Sequence, residues 1–177
     1  MKELLKYIVR FALFVLVQVF VLDKIHLHQM ITPYIYFLFI IWLPFKMQRT
    51  PLMLVAFLLG FSIDSFRHNP GFHAAACVLI AYIRPFLIKM LVAQDISETN
   101  YNEPSAKSMG GTGAYLFLVL VLTFLHNAWL FFLEAWQFGD ICYFIVKTML
   151  STAISMLLII IVELIFNRNQ KFRTNTA

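Results

Sequence analysis

The chain contains few charged residues and only two cysteines. Charged residues make up 13% of its 177 positions, against about a quarter in a typical soluble domain. Cys77 and Cys142 provide neither a disulfide framework nor the ligand spacing of a metal site, so we interpret both as packing residues. The chain is 61% hydrophobic, with a mean hydropathy of +0.79. This composition predicts an integral membrane protein and argues against a soluble globular domain.

The sequence also lacks the motifs of common catalytic and binding sites. The net charge of +5 does not indicate nucleic-acid binding, because the basic residues lie in short flanks between apolar runs. No HExxH metal motif occurs, SMGGTG lacks the Lys-Ser/Thr of a phosphate-binding loop, and GFSID lacks the last glycine of a serine-hydrolase elbow. Asp64 is the only aspartate inside an apolar segment, which argues against a paired-aspartate protease. We therefore predict a protein that is not an enzyme and holds no cofactor or metal.

Six apolar segments approach the roughly 20 residues that a helix needs to cross a bilayer. The N-terminal segment begins with basic residues but has no small-x-small cleavage site after it, so we predict an uncleaved first helix. Pro44 and Pro51 bracket the short link between the second and third segments, and a five-span arrangement with a re-entrant hairpin stays open. We predict one all-α, polytopic membrane helix bundle with spans at about 5–22, 31–45, 51–66, 72–92, 114–135 and 141–166, a flexible linker at 93–113 and a basic tail at 167–177.

The distribution of lysine and arginine predicts the orientation of the bundle. Cytoplasmic loops carry an excess of these residues. If the N-terminus is cytoplasmic, the opposite side holds only Lys24 and Arg67, and the cytoplasmic flanks hold Lys2, Lys6, Arg10, Lys46, Arg49, Lys89, Lys107, Arg168, Lys171 and Arg173. Both termini are therefore expected in the cytoplasm.

Several ionisable residues lie inside the predicted spans. A charge at the bilayer centre costs at least about 2.5–3.5 kcal/mol, so such groups tend to face one another or a cavity. We predict an outer layer in which Asp64 and Lys147 form an ion pair beside His126 and Asn127, and an inner layer of Arg10, Arg84 and Glu163. In the alternative interpretation, the long side chains extend to the nearer interface, and His126 is a hydrogen-bonding residue of helix packing.

One stretch resembles a known family. It reads G-F-x-x-D-x-x-x-x-x-P-G-F, followed by a helix of small residues that ends A-Y-I-R-P. The pattern resembles the rod-shape-determining MreD family, as do the chain length and the six predicted spans. The matching residues are Gly60, Phe61, Asp64, Pro70, Gly71, Phe72, Ala81, Tyr82, Arg84 and Pro85.

The resemblance implies a non-enzymatic scaffold in the bacterial inner membrane that serves cell-wall elongation. Its implied partners are MreC and, through MreC, MreB, RodA and the elongation transpeptidase, together with membrane lipid. The fold is expected to resemble the S-subunits of energy-coupling-factor transporters. Gly60, Asp64 and Gly71 would then shape an outer turn, on which Arg67, His68 and Gly71 face the partner.

Two other functions stay open. The first is the substrate-binding S-subunit of an energy-coupling-factor vitamin transporter, although the first helix lacks the Ala-x-x-x-Ala patch typical of those subunits, since Leu16 follows Ala12. The second is a lipid or proton transporter that uses Asp64, His126 and Lys147 as a relay.

Overall fold

The computed structural model describes residues 2–24, 31–68, 71–92, 103–106, 108–135 and 141–165. This part of the chain is all-helical and contains no β-strand. Predictions that concern the tail at 167–177, residues 93–102 and 107 of the linker, and Pro70 lie outside the described residues. The α-helices are α1 (Lys2–Phe20), α2 (Leu38–Ile41), α3 (Arg49–Arg67), α4 (Phe72–Leu91), α5 (Thr112–Ala135) and α6 (Ile141–Ile165), and a 3₁₀ turn at Leu22–Lys24 follows α1.

Five of these helices are long and apolar enough to cross a membrane: α1 with the turn that follows it, and α3 to α6. Large apolar side chains such as Leu58, Phe86 and Leu157 lie on the outside of the bundle and are more than half exposed. Exposed apolar area on this scale suits a lipid environment rather than water. The prediction of an all-α, multi-pass bundle is confirmed at this level.

The predicted second span, residues 31–45, is not a continuous helix. Only Leu38–Ile41 is α-helical within this stretch. We call residues 31–45 the crossing segment. All residues from Tyr34 to Leu43 are nevertheless at most 5% exposed. The run is rich in aromatic and β-branched residues, which are weak helix formers. Neighbouring helices supply hydrogen bonds that a helical backbone would otherwise make for itself.

The crossing segment passes from one end of the bundle to the other. Near its start, the Tyr34 hydroxyl accepts a hydrogen bond from Arg67 at the end of α3. Near its end, the Trp42 indole donates to Glu163 in the last turns of α6, and Arg10 of α1 lies over the Trp42 ring. We call the end of the bundle with Tyr34 and Arg67 the Asp64 end, and the end with Trp42 and Glu163 the Glu163 end. The five long helices and the crossing segment each run once from one end of the bundle to the other. The start of α1 and the end of α6 therefore lie at the same end.

Helices that follow one another along the chain from α3 to α6 pack side by side, and α1 packs against α3. The α3 and α4 helices approach each other closely at Gly60. A Cβ atom built on Gly60 would lie 2.4 Å from Cα of Ala74, so only glycine fits there. Gly71, before α4, has φ +85°, a left-handed conformation that glycine adopts without a steric penalty. These two glycines bring the start of α4 against the side of α3.

Candidate functional site

Asp64 caps the start of α4 from the side of α3. Its carboxylate accepts hydrogen bonds from the backbone N–H groups of His73 at 3.1 Å and Ala74 at 2.9 Å, and it contacts Nδ1 of His73 at 2.8 Å. The first N–H groups of a helix have no partner within the helix, and a negative charge is favourable at that end. The carboxylate is only 2% exposed. Asp64 therefore satisfies the backbone donors that the Gly60 contact brings to it.

The predicted ion pair between Asp64 and Lys147 is wrong. Lys147 instead donates to Glu134 at 2.7 Å and lies 4.5 Å from the centre of the Phe131 ring. Glu134 belongs to the last turn of α5, and Lys147 is in the second turn of α6, so the pair joins the ends of two neighbouring helices. The sequence pattern does not single out this pair, because Glu134 falls at the edge of its apolar segment.

Arg67 makes contacts within the bundle. It forms a two-pronged ion pair with Asp23, with N–O distances of 2.8 Å, and it donates to the Tyr34 hydroxyl at 2.8 Å. Its side chain is 20% exposed, so the expectation of an exposed Arg67 is wrong. The next residue, His68, is exposed and ends α3 in the left-handed region with φ 56°.

His73 joins Arg67 to Asp64. Nη1 of Arg67 lies 3.1 Å from Nε2 of His73. A guanidinium group can only donate hydrogen bonds, so Nε2 must accept and Nδ1 must carry the proton that it donates to Asp64. Asp23, Arg67, His73 and Asp64 thus form a continuous hydrogen-bonded chain, which we call the four-residue chain. It ties the ends of α1 and α3 to the start of α4.

His126 and Asn127 are fully buried and hold the crossing segment to α5 and α6. Nε2 of His126 lies 2.8 Å from the Tyr36 hydroxyl, and the imidazole stacks on Phe37 with ring centres 4.4 Å apart. Asn127 donates to Thr152 of α6 at 3.2 Å. The predicted outer layer therefore separates into three parts: the four-residue chain, the Glu134–Lys147 pair and this group in the core.

Side chains of three helices satisfy the backbone of the crossing segment. A non-helical backbone at membrane depth must find its partners within the protein. Ser151 and Ser155 of α6 accept hydrogen bonds from the N–H groups of Thr32 and Tyr34 at 3.2 and 3.0 Å. Gln18 of α1 accepts from the N–H of Ile35 and donates to the carbonyl of Pro33, both at 3.1 Å.

Arg84 completes this set from α4. Its Nη2 donates to the carbonyls of Ile41 and Leu43, just where α2 ends. The side chain is 1% exposed, so it does not extend to the interface, and its Nε has no partner among the described residues. Pro85 follows Arg84 inside α4 and is partly exposed.

The members of the predicted inner layer, Arg10, Arg84 and Glu163, each contact a different partner in the structure. Glu163 accepts hydrogen bonds from the Trp42 indole and the Tyr115 hydroxyl. Arg10 forms an ion pair with the carboxylate of Glu103 in the linker, at 3.0 Å. The aromatic partners of Glu163 could not be inferred from charge pattern alone.

Glu103 is the centre of a basic cluster at the Glu163 end. Lys6 at 2.7 Å, the Tyr7 hydroxyl at 3.0 Å and Arg10 all donate to its carboxylate, which is 6% exposed. Burial alone would raise the pKa of Glu103, but the hydrogen bond from Lys6 and the charge of Arg10 outweigh burial and hold it below its usual value. The linker is thereby fastened to the start of α1.

These polar groups are arranged to hold segments of the bundle together. In the described ranges, no group of three or more His, Cys, Asp or Glu residues could hold a metal ion. The prominent residues of the sequence, Asp64 and Arg84, both bind backbone atoms. No protein-family model matches the chain, and no match was found among curated proteins or solved structures.

Proposed function

We propose that the protein is a non-enzymatic membrane scaffold of bacterial cell-wall elongation, with the role that the MreD family has. One observation carries the proposal. The most distinctive residues of the sequence resemblance, Gly60, Asp64 and Gly71, meet in one structural unit where α3 turns into α4. A motif whose members depend on one another in space is better support for a shared fold than scattered matches.

The internal pairing of the polar residues supports a scaffold over a transporter. Asp64, Arg67 and Lys147 each have a close partner within the chain. A proton relay through Asp64, His126 and Lys147 would need these groups to be joined, whereas each has its hydrogen bonds in a separate group. In the proposed function the protein lies in the inner membrane with both termini in the cytoplasm, and the Asp64 end faces MreC.

Depletion in a rod-shaped bacterium that carries the protein tests this function. We expect the cells to become round and the tagged protein to co-purify with MreC, and through it with MreB, RodA and the elongation transpeptidase. Vitamin auxotrophy with normal cell shape would instead favour the S-subunit of an energy-coupling-factor transporter. Normal shape without auxotrophy, and no MreC in the purified complex, would rule out both.

Cysteine crosslinking tests which end of the bundle contacts the partner. In a Cys142→Ser background, which leaves only the buried Cys77, His68→Cys places a thiol at the exposed end of α3. Thr50→Cys is the matched control, because Thr50 is exposed at the opposite end of the same helix. We expect crosslinks from position 68 to MreC and none from position 50. The reverse pattern would place the contact at the other end.

A further inference from the structure

Three exposed basic residues, which we call the basic corner, lie at the Glu163 end of the bundle: Lys46, Arg49 and Lys89. Lys46 belongs to the link that leads into α3, and Arg49 is the first residue of that helix. Arg49 precedes Gly60 by about three helical turns, so the two lie on the same side of α3. Lys89 follows Ala74 by about four turns and lies on the same side of α4 as Ala74. Because Gly60 packs against Ala74, both basic residues are placed near the line where the two helices meet.

Among the residues that the structure describes, no carboxylate forms an ion pair with the basic corner. The carboxylates described at this end of the bundle have other contacts. Glu103 is bound by Lys6 and Arg10 of α1. Glu163 accepts hydrogen bonds from two aromatic side chains. The basic corner therefore presents positive charge that the described part of the chain does not neutralise.

Arg84 adds a further positive charge beneath the basic corner. Its guanidinium donates to the carbonyl of Leu43, which comes shortly before Lys46 in the chain. It forms no ion pair with a described carboxylate, and its Nε has no partner among the described residues. Because Arg84 is buried, water and salt screen its charge less than that of a surface residue. Its field therefore adds to the attraction of the basic corner for an anion.

The position of Lys89 indicates which anion reaches the basic corner. Lys89 is in the last turn of α4, a helix of 20 residues that matches the hydrocarbon thickness of a bilayer. Its neighbours Phe86 and Met90 are more than half exposed, as suits a surface in contact with lipid. Lys89 thus lies where the lipid-facing side of α4 reaches the headgroups, and the phosphates of phospholipids are at the same depth.

We propose that the basic corner binds the headgroup of an anionic phospholipid. Basic residues beside the ends of spanning helices attract anionic headgroups, and here the charge is concentrated where two helices meet and is supported by Arg84 beneath it. An acidic segment of a protein would have to approach from the water, whereas the lipid is already beside Lys89. The proposed site does not depend on the scaffold function, because it rests only on the charges and their position in the membrane.

Native mass spectrometry of the full chain in mild detergent tests the proposal, by titration with phosphatidylglycerol and, separately, with phosphatidylcholine. Each basic residue near the surface favours an anionic lipid about fivefold. Lys89→Gln should therefore weaken the binding of phosphatidylglycerol about fivefold, and the triple variant with Lys46→Gln and Arg49→Gln about a hundredfold. Binding of phosphatidylcholine should stay unchanged. Lys6→Gln is the matched control, because it removes the same charge at the same end from a residue that is paired with Glu103; it should change the affinity by no more than about twofold.

A second measurement uses the native chain, so that the outcome does not depend on how a variant folds. Phosphatidylglycerol should raise its melting temperature more than phosphatidylcholine does, and the difference should shrink in about 1 M salt, where the Debye length is about 3 Å.

Three results would overturn the proposal. The first is equal binding of phosphatidylglycerol by the native chain and the triple variant, or equal binding of both lipids by the native chain. The second is an effect of Lys6→Gln as large as that of Lys89→Gln, because the attraction would then belong to the whole end of the bundle. The third is an acidic polypeptide that the triple variant loses while lipid binding stays the same, because the basic corner would then bind a protein.

Discussion

Gly60→Ala is the change that most directly tests the α3–α4 contact. The added Cβ would lie 2.4 Å from Cα of Ala74 and 2.5 Å from the carbonyl oxygen of His73. Carbon atoms in contact normally stay about 3.5–4.0 Å apart. Both nearby atoms belong to the backbone and cannot rotate away, so α4 must move by about 1 Å. That shift would also lengthen the hydrogen bonds from the start of α4 to Asp64.

The expected loss of stability follows from three contributions. Overpacking costs about 1–3 kcal/mol, and the upper end applies where the clash is with backbone. Weakening of the Asp64 cap costs about a further 1 kcal/mol. The better helix propensity of alanine returns about 1 kcal/mol. The free energy of unfolding should therefore fall by about 3 kcal/mol, which for a chain of this size lowers the melting temperature by roughly 6–12 °C.

The assay is thermal unfolding of the purified protein in mild detergent, followed by tryptophan fluorescence. Gly113→Ala is the matched control, because Gly113 is also in a helix and a Cβ there would meet nothing within 4 Å. The control should leave the melting temperature unchanged or raise it slightly. If Gly60→Ala and Gly113→Ala melt at the same temperature, the close approach of α3 and α4 is wrong.

Three further predictions use the same thermal assay. Asp64→Ala should lower the free energy of unfolding by about 2–4 kcal/mol, because the backbone donors at the start of α4 lose their partner; Asp64→Asn should cost less, since its amide oxygen still accepts. Ser155→Ala should cost about 1–3 kcal/mol, because the buried N–H of Tyr34 is left unsatisfied, and no loss would contradict that contact. The stabilising contribution of Glu103 should be fully present above its ordinary pKa of 4.5 and be lost as pH falls through its lowered pKa; the difference in melting temperature between the native chain and Glu103→Gln should therefore shrink on acidification, and a constant difference would refute it.

Hydropathy was sufficient to predict the long helices but not the crossing segment. A buried run of apolar residues reads the same whether its backbone is helical or extended. Two features of residues 31–45 were still informative: the run is shorter than a full span, and Pro33 and Pro44 lie near its ends. Its conformation is decided by partners far along the chain, such as Ser155 and Gln18, and no local propensity contains that information.

The charge pairs were predicted wrongly for a related reason. The charge pattern of the apolar segments pairs only the ionisable residues within those segments with one another. The actual partners of Arg67, Lys147 and Arg10 are Asp23, Glu134 and Glu103, which lie at or beyond the ends of those segments. Long basic side chains extend along an apolar surface to reach such positions. A rule that pairs only residues at the same depth in the membrane therefore misses these ion pairs.

The position of Asp64 and Arg84 in an apolar sequence has a common physical explanation. Each binds backbone groups: Asp64 the N–H groups at the start of α4, and Arg84 the carbonyls where α2 ends. In lipid an unsatisfied backbone group costs several kcal/mol, so a bundle with a non-helical crossing must supply polar side chains at depth. Buried charge in such a chain is therefore evidence of an interrupted helix as much as of a catalytic site. Arg84, two-thirds of the way along α4, marks where the crossing segment passes.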